Sequence, residues 1–75
     1  MSKRDPRLFI QDMIEAIEKI GRYTSSIETL EDFAENEMVV DAVLRNLEII
    51  GEAAKHIPEN LRLKYKEVPW RRVVG

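Results

Sequence analysis

Residues 37–57, from Glu37 to Ile57, limit what this chain can become more than any other stretch. Placed at 100° per residue on a helix, Asp41, Arg45, Glu48, Glu52 and Lys55 fall within an arc of roughly 80°. Val40, Val43, Leu44, Leu47, Ile50, Ala54 and Ile57 gather on the opposite side, and Met38, Val39, Ala42, Ile49 and Ala53 fill much of what lies between. A helix at a protein surface needs one apolar stripe. This one is apolar over far more, the pattern of an element packed on more than one side. A second copy, or further helices, must cover it.

The neighbouring segments carry helical signals of their own. Asp5-Pro6 reads as an N-cap followed by proline at the first helical position. Phe9, Ile10, Met13, Ile14, Ile17 and Ile20 then recur at three- and four-residue steps, and Thr24-Ser25-Ser26 lets the helix stop, giving a span of about 6–23. Glu15–Lys19 and Glu18–Arg22 are placed as i,i+4 ion pairs on its outer face. Thr29 with Asp32 resembles a variant capping box opening a short helix through Leu30, Phe33 and Ala34, with a break at Asn36. The long helix is expected to run to Ile57, because the ring of Pro58 disfavours helical geometry before it. A short amphipathic turn through Leu61 and Tyr65 follows, and Pro69 opens a last element. The spacing predicts an all-α fold, an antiparallel up-down helical bundle with three helices and the start of a fourth. The expected organisation is one domain over residues 1–75, incomplete at its C-terminal end.

Size sharpens the need for a partner. A chain of 75 residues buries only about 60% of the surface its unfolded form exposes, so an isolated core is marginal. With no cysteine, neither disulfides nor thiolate metal sites can add stability. The missing stability is therefore sought in association, and a homodimer is expected. No apolar run is long enough to span a bilayer and no signal-peptide core is present, so no membrane partner and a cytoplasmic address are expected. Charge is uneven: residues 1–57 carry seven Lys/Arg against twelve Asp/Glu, whereas residues 58–75 carry five against two. Such a basic tail can meet phosphates or simply be solvated.

Candidate chemistry is sparse. Arg45, Glu48 and Glu52 form either an ion-pair ladder on one helix face or the wall of a polar cleft with Arg45 open to anions. Gly51 costs about 1 kcal/mol relative to alanine inside a helix, and its series with Leu44, Leu47 and Ala54 points to close helix packing. Two carboxylates alone do not make a bundle metal site, which usually adds Glu-x-x-His and facing carboxylates. His56, the sole histidine, fits a helix-end residue assisting the last carbonyls. No metal or cofactor is expected. Trp70 reads as a core or interface anchor, with a base-stacking platform as the alternative. Neither a nucleotide loop nor a nucleophile–base set is visible.

Several blocks taken together resemble a known family. Arg4-Asp5-Pro6-Arg7-Leu8-Phe9-Ile10-Gln11-Asp12-Met13, the Thr29-to-Phe33 turn, Arg45-Asn46-Leu47-Glu48-Ile49-Ile50-Gly51-Glu52-Ala53 and Pro69-Trp70-Arg71-Arg72-Val73-Val74-Gly75 look like HepT-like proteins of the HEPN superfamily. The resemblance implies a four-helix-bundle, metal-independent endoribonuclease toxin, active as a homodimer on RNA. It also implies a minimal nucleotidyltransferase antitoxin that transfers AMP to a toxin tyrosine. Family chemistry rests on Arg-x-x-x-x-His-x-Tyr in the last helix: a base for the ribose 2′-hydroxyl and a cation for the scissile phosphate. That motif would follow the Trp70-to-Gly75 stretch, so no catalytic residue is assigned to this chain, which is expected to be inactive as it stands. Arg45, Glu48 and Glu52 would line the cleft facing the motif in a supporting role. The competing expectation is a non-catalytic helical module for dimerisation or partner binding.

Overall fold

A computed structural model describes residues 4–74. Five helices follow one another: α1 (Pro6–Thr24), α2 (Leu30–Glu35), α3 (Glu37–Lys55), α4 (Glu59–Lys64) and α5 (Trp70–Val74). The all-α class is therefore observed, and no strand occurs among the described residues.

Capping chemistry sets the boundaries. Asp5 accepts from the Arg7 N–H and Pro6 takes the first helical position of α1. Thr29 accepts from the Asp32 N–H to open α2. Asn36 does two jobs, ending α2 through its own N–H to the Phe33 carbonyl and opening α3 by accepting from the Val39 N–H. Each cap satisfies a donor or acceptor that a helix end leaves orphaned. The long helix stops at Lys55, two residues before the expected Ile57. The His56 N–H turns back to the Ala53 and Ala54 carbonyls, tightening the last turn before Pro58 can clash with it. The turn expected after Pro58 is a helix in its own right, α4.

α1 and α3 pair in antiparallel sense. Near one end the rings of Phe9 and His56 stack, with centroids 4.5 Å apart and planes 13° apart. In the middle, Ala16 and Asn46 share one shallow depression. Ala16, Val43, Ala53, Ala54 and Ile57 are the buried apolar residues, with Asn46 among them. Small side chains dominate that set, which lets the two helices approach closely. The Cα radius of gyration is 14.4 Å, against about 11 Å for a compact domain of this length. The molecule is accordingly an open assembly around α3, and much apolar surface remains uncovered.

Candidate functional site

The polar strip of α3 is solvent-facing. Arg45, Glu48 and Glu52 are exposed and, with Ile49, line a shallow recess of about 340 Å³. The ladder expected between Arg45 and the two glutamates is not formed: Glu52 pairs instead with Lys55, at 3.5 Å, and Arg45 enters none of the ion pairs among the described residues. Likewise Glu15–Lys19 and Glu18–Arg22 are not among them. Exposed pairs of long side chains gain little against water and their own rotamer freedom.

Glu48 and Glu52 stand at a border. They also line a second recess of about 500 Å³, together with Leu44, Leu47, Gly51 and Val73. Here α5 lies against α3. A β-carbon added at Gly51 would sit 3.3 Å from the Val73 carbonyl oxygen, tighter than ordinary van der Waals contact. The four residues read as one packing series do not behave alike. Ala54 is fully buried, whereas Leu44 and Leu47 are 52% and 51% exposed. The helical wheel explains part of the split: with Asp41 at zero, Leu44 and Gly51 lie near ~300° and ~280°, away from Ala54 near ~220°, whereas Leu47, near ~240°, stays half exposed beside it. Chemically, the border offers two carboxylates able to accept hydrogen bonds from a facing residue. Among the described residues no three His, Cys, Asp or Glu side chains converge as a metal site would require.

A second constellation, missed by the sequence reading, ties the far end of α3 to α4 and α5. Arg62 donates from Nη2 to the Ala54 carbonyl at 2.8 Å and from Nε to the Ile57 carbonyl at 3.1 Å. It thus supplies the Ile57 carbonyl and adds a donor to the Ala54 carbonyl, which also accepts from the His56 and Ile57 N–H groups. The same guanidinium lies 5.8 Å from the centre of the Trp70 ring, and Trp70 Nε1 donates to the Tyr65 carbonyl at 3.1 Å. Trp70 is therefore a half-buried anchor that joins α5 to the α4 turn.

At the opposite terminus, Arg7 grips the Asp5 carboxylate through Nε and Nη2, at distances from 2.6 to 3.2 Å. These side-chain bonds, and after them the Arg7 backbone N–H, pull the Asp5 carboxyl down to about 2. Arg4 bonds Asp12 at 2.8 Å and lowers its pKa by the same means, while its guanidinium lies 4.7 Å from the Phe9 ring centre. The His56 ring stacks on Phe9, so it is the His56 backbone, not its imidazole, that reaches the helix-end carbonyls. Asn46 was likewise not singled out by periodicity. It is 95% buried and its Nδ2 donates to the Ala42 carbonyl at 2.8 Å, and its signal was a polar residue inside an otherwise apolar arc.

These features define a small all-α domain: an antiparallel helix pair whose long second helix carries a mixed-charge strip beside a short final helix. Residues 13–75 match the family described as "Ribonuclease HepT-like". The chain belongs to the HepT-like ribonuclease family. It is 41% identical over 75 residues to "Putative RNase MJ1380" of Methanocaldococcus jannaschii, covering all of this chain and 68% of that one. It is 44% identical over 69 residues to "Probable ribonuclease HepT" of Thermococcus cleftensis, covering 92% of this chain and 62% of that one. A bacterial relative, "Putative RNase TTE0752" of Caldanaerobacter subterraneus, is 33% identical over 72 residues, covering 96% and 63%. The chain thus spans about two thirds of the length of these relatives. No solved structure matches it. No helix of the described residues is long and apolar enough to cross a membrane.

Proposed function

We propose that this chain forms the helical scaffold of a HepT-like endoribonuclease toxin. In this reading the complete enzyme cuts RNA without a metal, works as a homodimer in the cytoplasm, and is controlled by a minimal nucleotidyltransferase antitoxin. The family match over residues 13–75, from within α1 to the end of the chain, is the observation that carries it. The 75 residues contain no Arg-x-x-x-x-His-x-Tyr. Cleavage is accordingly assigned to a form that includes that motif, where histidine takes the 2′-hydroxyl proton and arginine offsets charge on the phosphate. Arg45, Glu48 and Glu52 serve there as supporting residues. The two carboxylates border the recess beside α5, so they can orient a cationic or protonated group arriving from that side.

The test compares this chain with a form extended through the motif, on single-stranded RNA in the presence of a chelator. The extended form should cut and the 75-residue chain should not. Intact RNA after incubation with micromolar extended dimer would sink the reading. A second reading, a non-catalytic module for dimerisation or partner binding, is favoured by one observation. Ile14, Ile17, Leu44 and Leu47 are each more than half exposed, an unusual surface for an isolated small domain. A monodisperse monomer in analytical ultracentrifugation, with no affinity for a co-encoded nucleotidyltransferase, would eliminate it.

A further inference from the structure

The surface recesses of this molecule differ in charge. The groove beside Gly51, the strip recess around Arg45, and the depressions near α2 and between α1 and α3 all carry more carboxylates than cations. The recess between α4 and α5, of about 450 Å³, reverses this: Arg62, Lys66 and Arg71 line it against the single carboxylate of Glu59. Its floor includes the Trp70 ring.

That ring is held rather than merely present. Its Nε1 is fixed on the Tyr65 carbonyl, and Arg62, itself anchored on the Ala54 and Ile57 carbonyls, lies over it. Trp70 is only partly buried, and it lines the recess. Lys66 and Arg71 are exposed and take part in none of the ion pairs among the described residues. A preset aromatic ring beside uncompensated cations is the combination that binds single strands with little sequence preference: the ring stacks a base and the cations follow the backbone. Duplex binding needs no such ring, and an acidic protein surface would need the cations alone.

We propose that the α4–α5 recess binds single-stranded RNA, with one base stacked on Trp70 and the flanking phosphates on Lys66 and Arg71. The recess lies on the α4 side of α5 and its lining includes no histidine, so it is assigned to holding the strand rather than cutting it. This rests on the reading of the chain as part of a ribonuclease, and it names a surface where that enzyme's substrate is gripped.

Trp70 is the only tryptophan, so its fluorescence reports directly on the site. The 75-residue chain is titrated with a single-stranded oligouridylate, and binding is followed by tryptophan quenching and by anisotropy of a labelled strand. Quenching is expected, with log K falling against log salt at a slope of about −1.4 for two phosphate contacts. Lys66→Glu and Arg71→Glu should each weaken binding about tenfold, whereas Lys19→Glu, the same charge change on α1, should weaken it less than about twofold. Trp70→Phe should retain most affinity and Trp70→Leu should lose about tenfold, the loss of one stacked base. Circular dichroism checks that each variant keeps its helices, and the two charge reversals on exposed side chains decide the matter if Trp70→Leu does not fold.

Binding without quenching, equal losses from Lys66→Glu and Lys19→Glu, or equal affinity for a polyglutamate of the same length would each overturn the proposal. The last outcome would make the recess a dock for an acidic protein. Because binding is read without strand scission, an extended form that fails to cut RNA would end the proposed function and leave this result standing. An extended form that cuts with unchanged KM after Lys66→Glu would overturn the recess alone.

Discussion

One face of α3, through Val43 and Ala54, lies under the 19 residues of α1, while the face around Gly51 meets the five residues of α5. Both faces are apolar in sequence. Under α1 the two residues are 8% and 0% exposed; beside α5, Leu44 and Leu47 stay about half exposed. Apolarity alone therefore does not decide burial here; the length of the covering element does. The contrast also separates two kinds of attachment. The α1 face is held by many small contacts and a stacked ring pair, whereas α5 is held by a close backbone approach at Gly51 and by the Arg62–Trp70 linkage.

The sharpest way to break the comparison is to open the covered face. Val43→Ala removes a buried side chain from that face and should cost about 2–3 kcal/mol, a large share of what a chain this small has. Leu44→Ala or Leu47→Ala, on the other face, should cost well under half as much, because water already reaches those side chains. Urea titration followed by circular dichroism reads both. Equal losses on the two faces would mean that a second copy or another segment covers the α5 side in solution.

Next in size is the tie between α3 and α5. Arg62→Ala leaves the Ile57 carbonyl without its donor, removes one of the donors to the Ala54 carbonyl and frees the Trp70 ring, at about 1–3 kcal/mol. Arg62→Lys keeps the charge but loses the forked geometry, so it should recover less than half of that. Tryptophan emission should shift to longer wavelength in Arg62→Ala before the helical signal melts. A single concerted transition at both wavelengths would show that the α5 end unfolds with the α1–α3 pair rather than before it.

Much of this organisation was legible in the chain. Asp5-Pro6, Thr29 and Asn36 mark helix starts because each places a side-chain oxygen over otherwise unpaired N–H groups, a local chemistry that needs no tertiary knowledge. The helical period likewise located α1 and α3. The wheel of α3 showed that more than one side is apolar, but it could not apportion those sides between α1 and α5; Leu44 was grouped with Ala54 although it lies on a different flank, and Leu47, beside Ala54 on the wheel, is nonetheless half exposed. Arg62 went unnoticed because its acceptors, on Ala54 and Ile57, lie eight and five residues back and converge only once α4 has folded against the end of α3. Asn46 was obscured for a related reason: its partner is the Ala42 carbonyl of its own helix, so burial leaves no mark on side-chain spacing. The family blocks were readable from residue order, and the ribonuclease family followed from them.

A smaller effect is expected at Gly51. Gly51→Ala gains about 1 kcal/mol of helix propensity but brings a β-carbon within 3.3 Å of the Val73 carbonyl oxygen. Because α5 is short and joined to α4 through a turn, it should yield by a few tenths of an ångström. Melting of the main helices should then stay nearly unchanged while Trp70 emission moves. Gly51→Leu asks for far more room than that shift provides, and should detach α5 or cause aggregation. An unchanged melt and unchanged Trp70 emission in Gly51→Leu would show that α5 does not lie against Gly51 in solution.

The smallest effect belongs to the start of α1, where the covered face ends. The Asp5 carboxyl is held at about 2, below the ordinary 3.8, chiefly by its side-chain bonds to Arg7. A folded-state pKa lowered in this way means that the folded chain binds fewer protons than the unfolded one across that interval. The stabilisation is therefore complete above about pH 4 and is lost as pH falls through about 2. Asp12, lowered by Arg4, acts in the same direction. Both carboxylates are solvent-exposed, so salt should shrink the effect. Asp5→Asn keeps an oxygen for the Arg7 N–H and removes the titrating charge, since asparagine caps helices as well as aspartate does. Thermal melts between pH 5 and pH 2 should then show a shallower acid slope for Asp5→Asn than for the parent, with the two slopes converging in 1 M salt. Identical slopes at low salt would move the acid sensitivity to other carboxylates, with those of the α3 strip next to be tested. A difference would place the first acid-induced loosening at the α1 terminus, where Phe9 rests on His56, on the face that is otherwise the better covered.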